Sequence, residues 1–294
     1  MPFRTIIEGV RPTSLVFLSV IQLIRQKLII INHLNFTTMI KRTLLFLMTV
    51  TMVFGAMTTA EAQDNSKYEM WESIMMTPDY TKLKVLGENM RKHNQKYHKE
   101  GAYEATVYNI ATGPNAGKLI WEMGPLMFAH LDKRPSAGGH DEDWRDNVMP
   151  YIKKMHTAEY WKDEAKYSNT GMLDGDNSKY PLLYVRYWEV NPDQDHLVDG
   201  LLKQISETFK GMEGDNPWGV YDNQMRQGLK IGRHLATVGF MKNWAEMDDP
   251  GTFKPTFIKV HGESAWDPFL ENMSNAFTNS WDEVWEYNAN LSGK

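Results

Sequence analysis

Trp188-Glu189-Val190-Asn191-Pro192-Asp193 ends a run of aromatic and branched residues and opens a helix-like stretch. The same punctuation stands earlier, at Trp71-Glu72 followed by Pro78-Asp79. In both places proline stops an extended segment, and the aspartate offers an N-cap to a following helix. The echo continues at nearly constant spacing. Trp121-Glu122-Met123 is matched by Trp244-Ala245-Glu246-Met247, and Trp144 and Trp161 by Trp266 and Trp285. Such a repeat implies two copies of one small α+β unit, packed on each other as a pseudo-dimer. Two unrelated α+β domains are the alternative reading.

Reading outward, the first copy gives a strand over 67–76 and then an amphipathic helix over 80–99. Leu83, Leu86, Met90 and Tyr97 share one face of that helix, and Gly101 closes it. Extended stretches at 102–111 and 118–129, joined by the Gly-rich 112–117, read as a β-hairpin. A polar loop over 132–140 leads to a predicted long helix over 141–167, and 169–179 reads as a linker that could hold a short last strand. The second copy repeats the order: strand 181–190, helix 193–212, a less regular segment around Pro217-Trp218-Gly219, strand 234–247 and long helix 265–287. This β-α-β-β-α order, with a possible closing strand, predicts two ferredoxin-like units at 63–175 and 180–294.

Residues 1–62 read as targeting sequence. Met39-Ile40-Lys41-Arg42 is a short basic region, Thr43 to Gly55 an apolar core, and Ala60-Glu61-Ala62 a small-x-small cleavage site. The apolar run, about a dozen residues, is shorter than the ~20 needed to span a bilayer. Residues 1–38 stand in front of a complete signal peptide and read as an over-extended N-terminus, with Met39 the expected start. A membrane-anchored chain is the rival. Cleavage near Ala62 predicts a periplasmic or secreted bacterial protein without a stable membrane anchor.

The chain carries a net charge of −5, and the leader holds more basic than acidic residues, so the remainder is more acidic still. An acidic chain without a basic stripe argues against nucleic acid as a partner. There is no cysteine. That removes disulfides, thiol nucleophiles and thiolate metal sites from consideration.

The duplicated element order and its aromatic placement resemble the dimeric α/β-barrel superfamily, which includes antibiotic-biosynthesis monooxygenase-like proteins, in its tandem-fused form. The resemblance covers nearly all of the chain after the leader, and it matches no signature motif. It implies that the open sheet faces of two ferredoxin-like units close against each other around an apolar pocket. No family catalytic residue is carried over.

Local motifs exclude more than they assign. Gly113-Pro114-Asn115-Ala116-Gly117-Lys118 lacks the spacing and the following helix of a phosphate loop. Asp174-Gly175-Asp176-Asn177-Ser178 lacks the closing glutamate of a calcium loop. His93 and His98, five apart on the predicted helix, should diverge, so no metal site is expected. No nucleophile elbow is present. Aligning Trp71 with Trp188 sets Glu69 opposite Arg186, an acid and a base that meet near the pseudo-twofold axis if the two sheets face each other. The alternative is a rim salt bridge or two separate exposed charges.

Glu69, Arg186, His130 and His234 are therefore the catalytic candidates. Trp71, Trp121, Trp188, Trp244, Tyr103 and Lys242 are the ligand-binding candidates. The expected function is binding of a small apolar or aromatic organic molecule, possible cofactor-independent oxygenase chemistry included, and no motif decides whether the protein is an enzyme. No cofactor is required. Two alternatives stand: a non-catalytic envelope scaffold with an exposed apolar patch near Trp218 or Trp281, and a haem-binding barrel with His130 or His234 as axial ligand. The oligomeric state is not readable.

Overall fold

Eight antiparallel strands close on themselves in the order β1-β3-β2-β8-β5-β7-β6-β4. The computed structural model describes residues 68–225, 233–249 and 251–294. The leader read at 1–38 and 39–62 lies outside the described residues. The strands are β1 Met70–Pro78, β2 Ala105–Ile110, β3 Leu119–Leu126, β4 Ile152–Asp163, β5 Leu182–Val190, β6 Trp218–Asn223, β7 Leu235–Met241 and β8 Phe277–Tyr287. Within each half the spatial order is fourth, first, third, second strand, as a ferredoxin-like unit requires. The halves join edge to edge where Ile110 of β2 pairs with Trp285 of β8, and where Trp161 of β4 pairs with Asn223 of β6. Each unit alone would leave two strand edges unpaired, and closure removes both. The chain is thus an intramolecular pseudo-dimeric α/β barrel.

Four longer helices among the described residues cover the outside: α1 Leu83–Tyr97, α2 Val198–Gly211, α3 Phe253–His261 and α4 Trp266–Ala276. α1 buries Leu86 and Met90 against the outer face of the first sheet, beside Met70, Met76, Trp121 and Met123. α2, α3 and α4 bury Leu201, Leu202, Phe257 and Phe269 against the second. A third cluster fills one part of the barrel interior, with Met75, Ile120, Tyr187 and Trp285 at its centre.

The structure corrects several local expectations. Both predicted long helices are a helical segment followed by a strand. Residues 140–151 make short helical turns before β4, and α4 gives way to β8 at Phe277. The irregular segment at Trp218 is β6, and β7 stops at Met241, so Trp244 falls in a 3₁₀ turn. Asp79 does not cap α1; its carboxylate accepts from Thr81 N and Oγ1 at 3.0 and 2.7 Å, and the helix starts at Leu83. α1 also ends earlier than expected. His98 leaves helical geometry at φ −132°, ψ 39°, and its ring turns back to stand 5.3 Å, centroid to centroid, from that of His93. A continued helix would have sent the two rings apart.

Candidate functional site

Along β5, Leu183, Val185 and Tyr187 point into the barrel, while Tyr184, Arg186 and Trp188 point out, as the two-residue period of a strand requires. The inward residues of the other strands complete a cavity of about 390 Å³. Its aromatic wall is Trp71, Trp161, Trp285, Tyr108, Tyr187 and Tyr221, and its acidic groups include Glu69, Glu122 and Asp163. Two glycines admit this wall. A Cβ on Gly219 would stand 2.6 Å from the Tyr221 ring, and one on Gly124 would stand 2.9 Å from Trp71 Cδ1. Trp71 and Tyr221 then meet edge to face at 5.7 Å.

Burial sets the electrostatics of this cavity. Desolvation pushes the Glu122 carboxyl up to about 7, opposed by a hydrogen bond from Ser73. Burial also raises Asp163, which accepts from Ser168 Oγ at 2.6 Å and is raised further by the Glu69 charge. Tyr221 is held well above the ordinary phenol range, first by burial and then by Asp163, Glu122 and Glu69. Tyr108 is raised for the same first reason, with Glu122 adding to it. Both phenols therefore remain protonated donors, beside one carboxyl that titrates near neutrality. Among the described residues Lys294 is the sole basic one on the lining, so the cavity favours a neutral or cationic guest over an anion.

Of the candidates read from sequence, Glu69 and Trp71 line the cavity. Arg186 does not meet Glu69. It lies on the outer face of β5, bound to Asp282 through Nε at 2.6 Å and through a terminal nitrogen at 2.8 Å. Trp188 shares that outer face and packs on Phe277 at 4.5 Å. Trp121 is also on the helix side, donating to Asn94 Oδ1 at 3.0 Å, and Trp244 is 43% exposed. Tyr103 donates to the His130 carbonyl at 2.8 Å, and His130 Nδ1 accepts from Met127 N. His234 Nδ1 accepts from Val190 N at 3.0 Å. Lys242 stands 5.6 Å from the ring of Tyr180, a residue of the cavity edge. Sequence reading missed Glu122, Tyr108 and Tyr221. Glu122 sits beside the quoted Trp121, and strand alternation sends the two side chains to opposite faces.

The haem reading through His130 or His234 fails in this cavity, because neither residue is among its lining, and its carboxylates would repel propionates.

No family model matches the chain, and no curated protein matches it. Solved structures of similar fold include a presumed monooxygenase from Lactobacillus acidophilus (8% identity, 75% of this chain and 94% of that one, TM-score 0.49). An anthrone oxidase-like protein aligns at 14% identity over 77% and 94%, with a TM-score of 0.46. A haem-binding protein from Thermus thermophilus aligns at 12% over 76% and 93%, with a TM-score of 0.42. These likenesses carry no activity across; the fold rests on the strand order of the closed sheet.

Proposed function

We propose that the barrel binds a small, flat aromatic molecule bearing an O–H or N–H group, and that Glu122 accepts its proton. The observation that carries this reading is the aromatic cavity of about 390 Å³ with one carboxyl brought to about 7 by burial. A carboxylate at that value is about half ionised at neutral pH, which suits a general base. The phenols of Tyr108 and Tyr221 would donate to the oxygen or nitrogen that loses the proton. An electron-rich aromatic anion in a dry cavity can pass electrons to dioxygen without a cofactor, so oxygenase-type turnover is the chemistry to assay. The scaffold alternative predicts a filled core and an exposed apolar patch on the helical or loop surface, for example near Trp218 or Trp281. Instead Trp218 is buried and stacked on Phe209 at 4.9 Å, and Trp281 packs on Tyr187 at 5.3 Å. The leader at 39–62 supports export to the periplasm or medium.

The test uses 2-naphthol as a probe, followed by quenching of tryptophan fluorescence. Saturable binding is expected in the wild type, with about tenfold or greater loss in Ala236→Phe, which fills the cavity. In Glu122→Gln the pH dependence near 7 should disappear. Equal binding by a folded Ala236→Phe variant would refute the reading.

A further inference from the structure

We propose that His93, His98 and His140 form a binding site for a divalent late-transition-metal ion, zinc the expected occupant, on the helix side of the first half. One ring nitrogen of each histidine lies within 4.8 Å of those of the other two. The three come from different places in the chain: the body of α1, its C-cap, and the first residue of the helical turn after the 132–139 loop. Trp121 packs against His98 from the outer face of β3, so the cluster and the cavity lie on opposite sides of the sheet.

The hydrogen bonds around the rings decide what the cluster is for. His93 Nδ1 meets Asp143 Oδ2 at 2.8 Å, His98 Nδ1 meets the Tyr103 carbonyl at 2.8 Å, and His140 Nδ1 meets Asp141 Oδ1 at 2.7 Å. A carbonyl or carboxylate oxygen can only accept, so each Nδ1 carries the ring proton. A neutral ring with its proton on Nδ1 presents an Nε2 lone pair. This is the outer support that metal-bound histidines receive from carboxylates and carbonyls.

Two of those lone pairs face each other: His98 Nε2 and His140 Nε2 are 3.0 Å apart. The third, His93 Nε2, is buried without a hydrogen-bond partner. Two lone pairs at that distance repel unless a cation stands between them, and a buried nitrogen without a partner leaves its desolvation uncompensated. One ion answers both needs. Nitrogens at ~2.0–2.1 Å from a tetrahedral zinc stand about 3.3 Å apart, close to the His98–His140 spacing. Three imidazoles with no thiolate suit zinc, copper or nickel better than magnesium or calcium. His93 is fully buried, whereas the His140 side chain is 16% exposed, so an ion would enter from the His140 side.

The test is a titration of the chelator-treated full chain with Co²⁺, followed by visible absorption and then by competition with Zn²⁺. One equivalent should bind, with the intense bands of a low-coordinate nitrogen site, and Zn²⁺ should displace it. His140→Ala should weaken binding at least 100-fold with unchanged near-ultraviolet circular dichroism. Asp143→Asn, which removes a supporting carboxylate and no ligand, should weaken it about 10–100-fold and keep the bands. Co²⁺ binding unaltered in folded His140→Ala would overturn the proposal. So would a wild type that gives no bands and whose His98–His140 contact, observed by ¹⁵N NMR of the imidazoles, is a proton bridge that Zn²⁺ leaves intact.

Discussion

Glu159 and Glu283 stand at matching positions of the two closing strands, and each accepts a hydrogen bond from the indole two residues further on. The Nε1 distances are 3.1 Å from Trp161 and 2.9 Å from Trp285. Both carboxylates are buried within the barrel. The copies differ in how the charge is met. Glu159 takes two bonds of 2.6 Å from Arg233, whose guanidinium lies 3.9 Å over the Tyr187 ring. Glu283 receives Asn115 Nδ2 at 2.6 Å. The divergence in charge between the halves is therefore inside the barrel, at this Glu-x-Trp step, and not between Glu69 and Arg186.

This difference predicts unequal costs of mutation. Arg233→Met leaves a buried carboxylate without its cation and should destabilise by about 3–5 kcal/mol. The double variant Arg233→Met/Glu159→Gln should recover part of that loss, because Glu159 is then neutral, while the buried Glu283 still loses the attraction of the Arg233 charge. Glu283→Gln, whose hydrogen-bond donors are neutral and which feels the Arg233 charge without bonding to it, should cost about 1–2 kcal/mol. Urea denaturation of the four proteins at one pH checks the order. An Arg233→Met variant as stable as wild type would show that the pair is solvated.

Glu122 makes stability depend on pH with a definite sign. Its carboxyl is raised from the ordinary value of 4.5 to about 7 in the folded chain. The folded state then holds the proton more tightly than the unfolded one, so the contribution is full below about 4.5 and is lost as pH rises through about 7. Glu122→Gln removes that loss. The variant should match wild type near pH ~4 and exceed it by about 1–3 kcal/mol at pH ~8. Ser73→Ala, which removes the hydrogen bond that lowers the value, should move the midpoint further upward; ¹³C NMR of the carboxyl reads it directly.

The repeat and the strand–helix–hairpin order of the first half were legible because they rest on apolar periodicity and proline punctuation, whereas closure into a barrel was implied by the family resemblance. The closing strands were not legible, because β4 and β8 turn Glu159 and Glu283 inward. A carboxylate at an interior position hides the alternation that marks a strand. Register was equally hidden. One tryptophan per first strand suggests that Trp71 and Trp188 correspond, yet they occupy opposite faces, since a slip of an odd number of residues reverses the face. The cavity carboxyl was within view at Trp121-Glu122 but needed the face assignment. The histidine cluster depended on where α1 stops, a boundary that the apolar spacing at Leu83, Leu86 and Met90 leaves undefined.

Gly219 offers a test of whether the cavity wall is set by close packing. Its residue two further along the same face is Tyr221, whose ring lies over the glycine. An added Cβ would come within 2.6 Å of Cε2 and 2.7 Å of the hydroxyl. Its φ is not in the left-handed region, so an alanine there is limited by the ring alone. Gly219→Ala should therefore displace the Tyr221 ring, disturb its edge contact with Trp71 and destabilise by about 1–3 kcal/mol. Gly171→Ala is the control. A Cβ there meets nothing within 4 Å and its φ is not positive, so it should be neutral or stabilising by up to about 1 kcal/mol. Tyr221→Phe separates ring from hydroxyl. If the ring builds the wall and the phenol only donates to the guest, it should retain stability yet weaken 2-naphthol binding, whereas Gly219→Ala should lose both. Equal stability of Gly219→Ala and Gly171→Ala would mean that the Tyr221 ring has room to move, and that its place over the cavity is not fixed by the glycine.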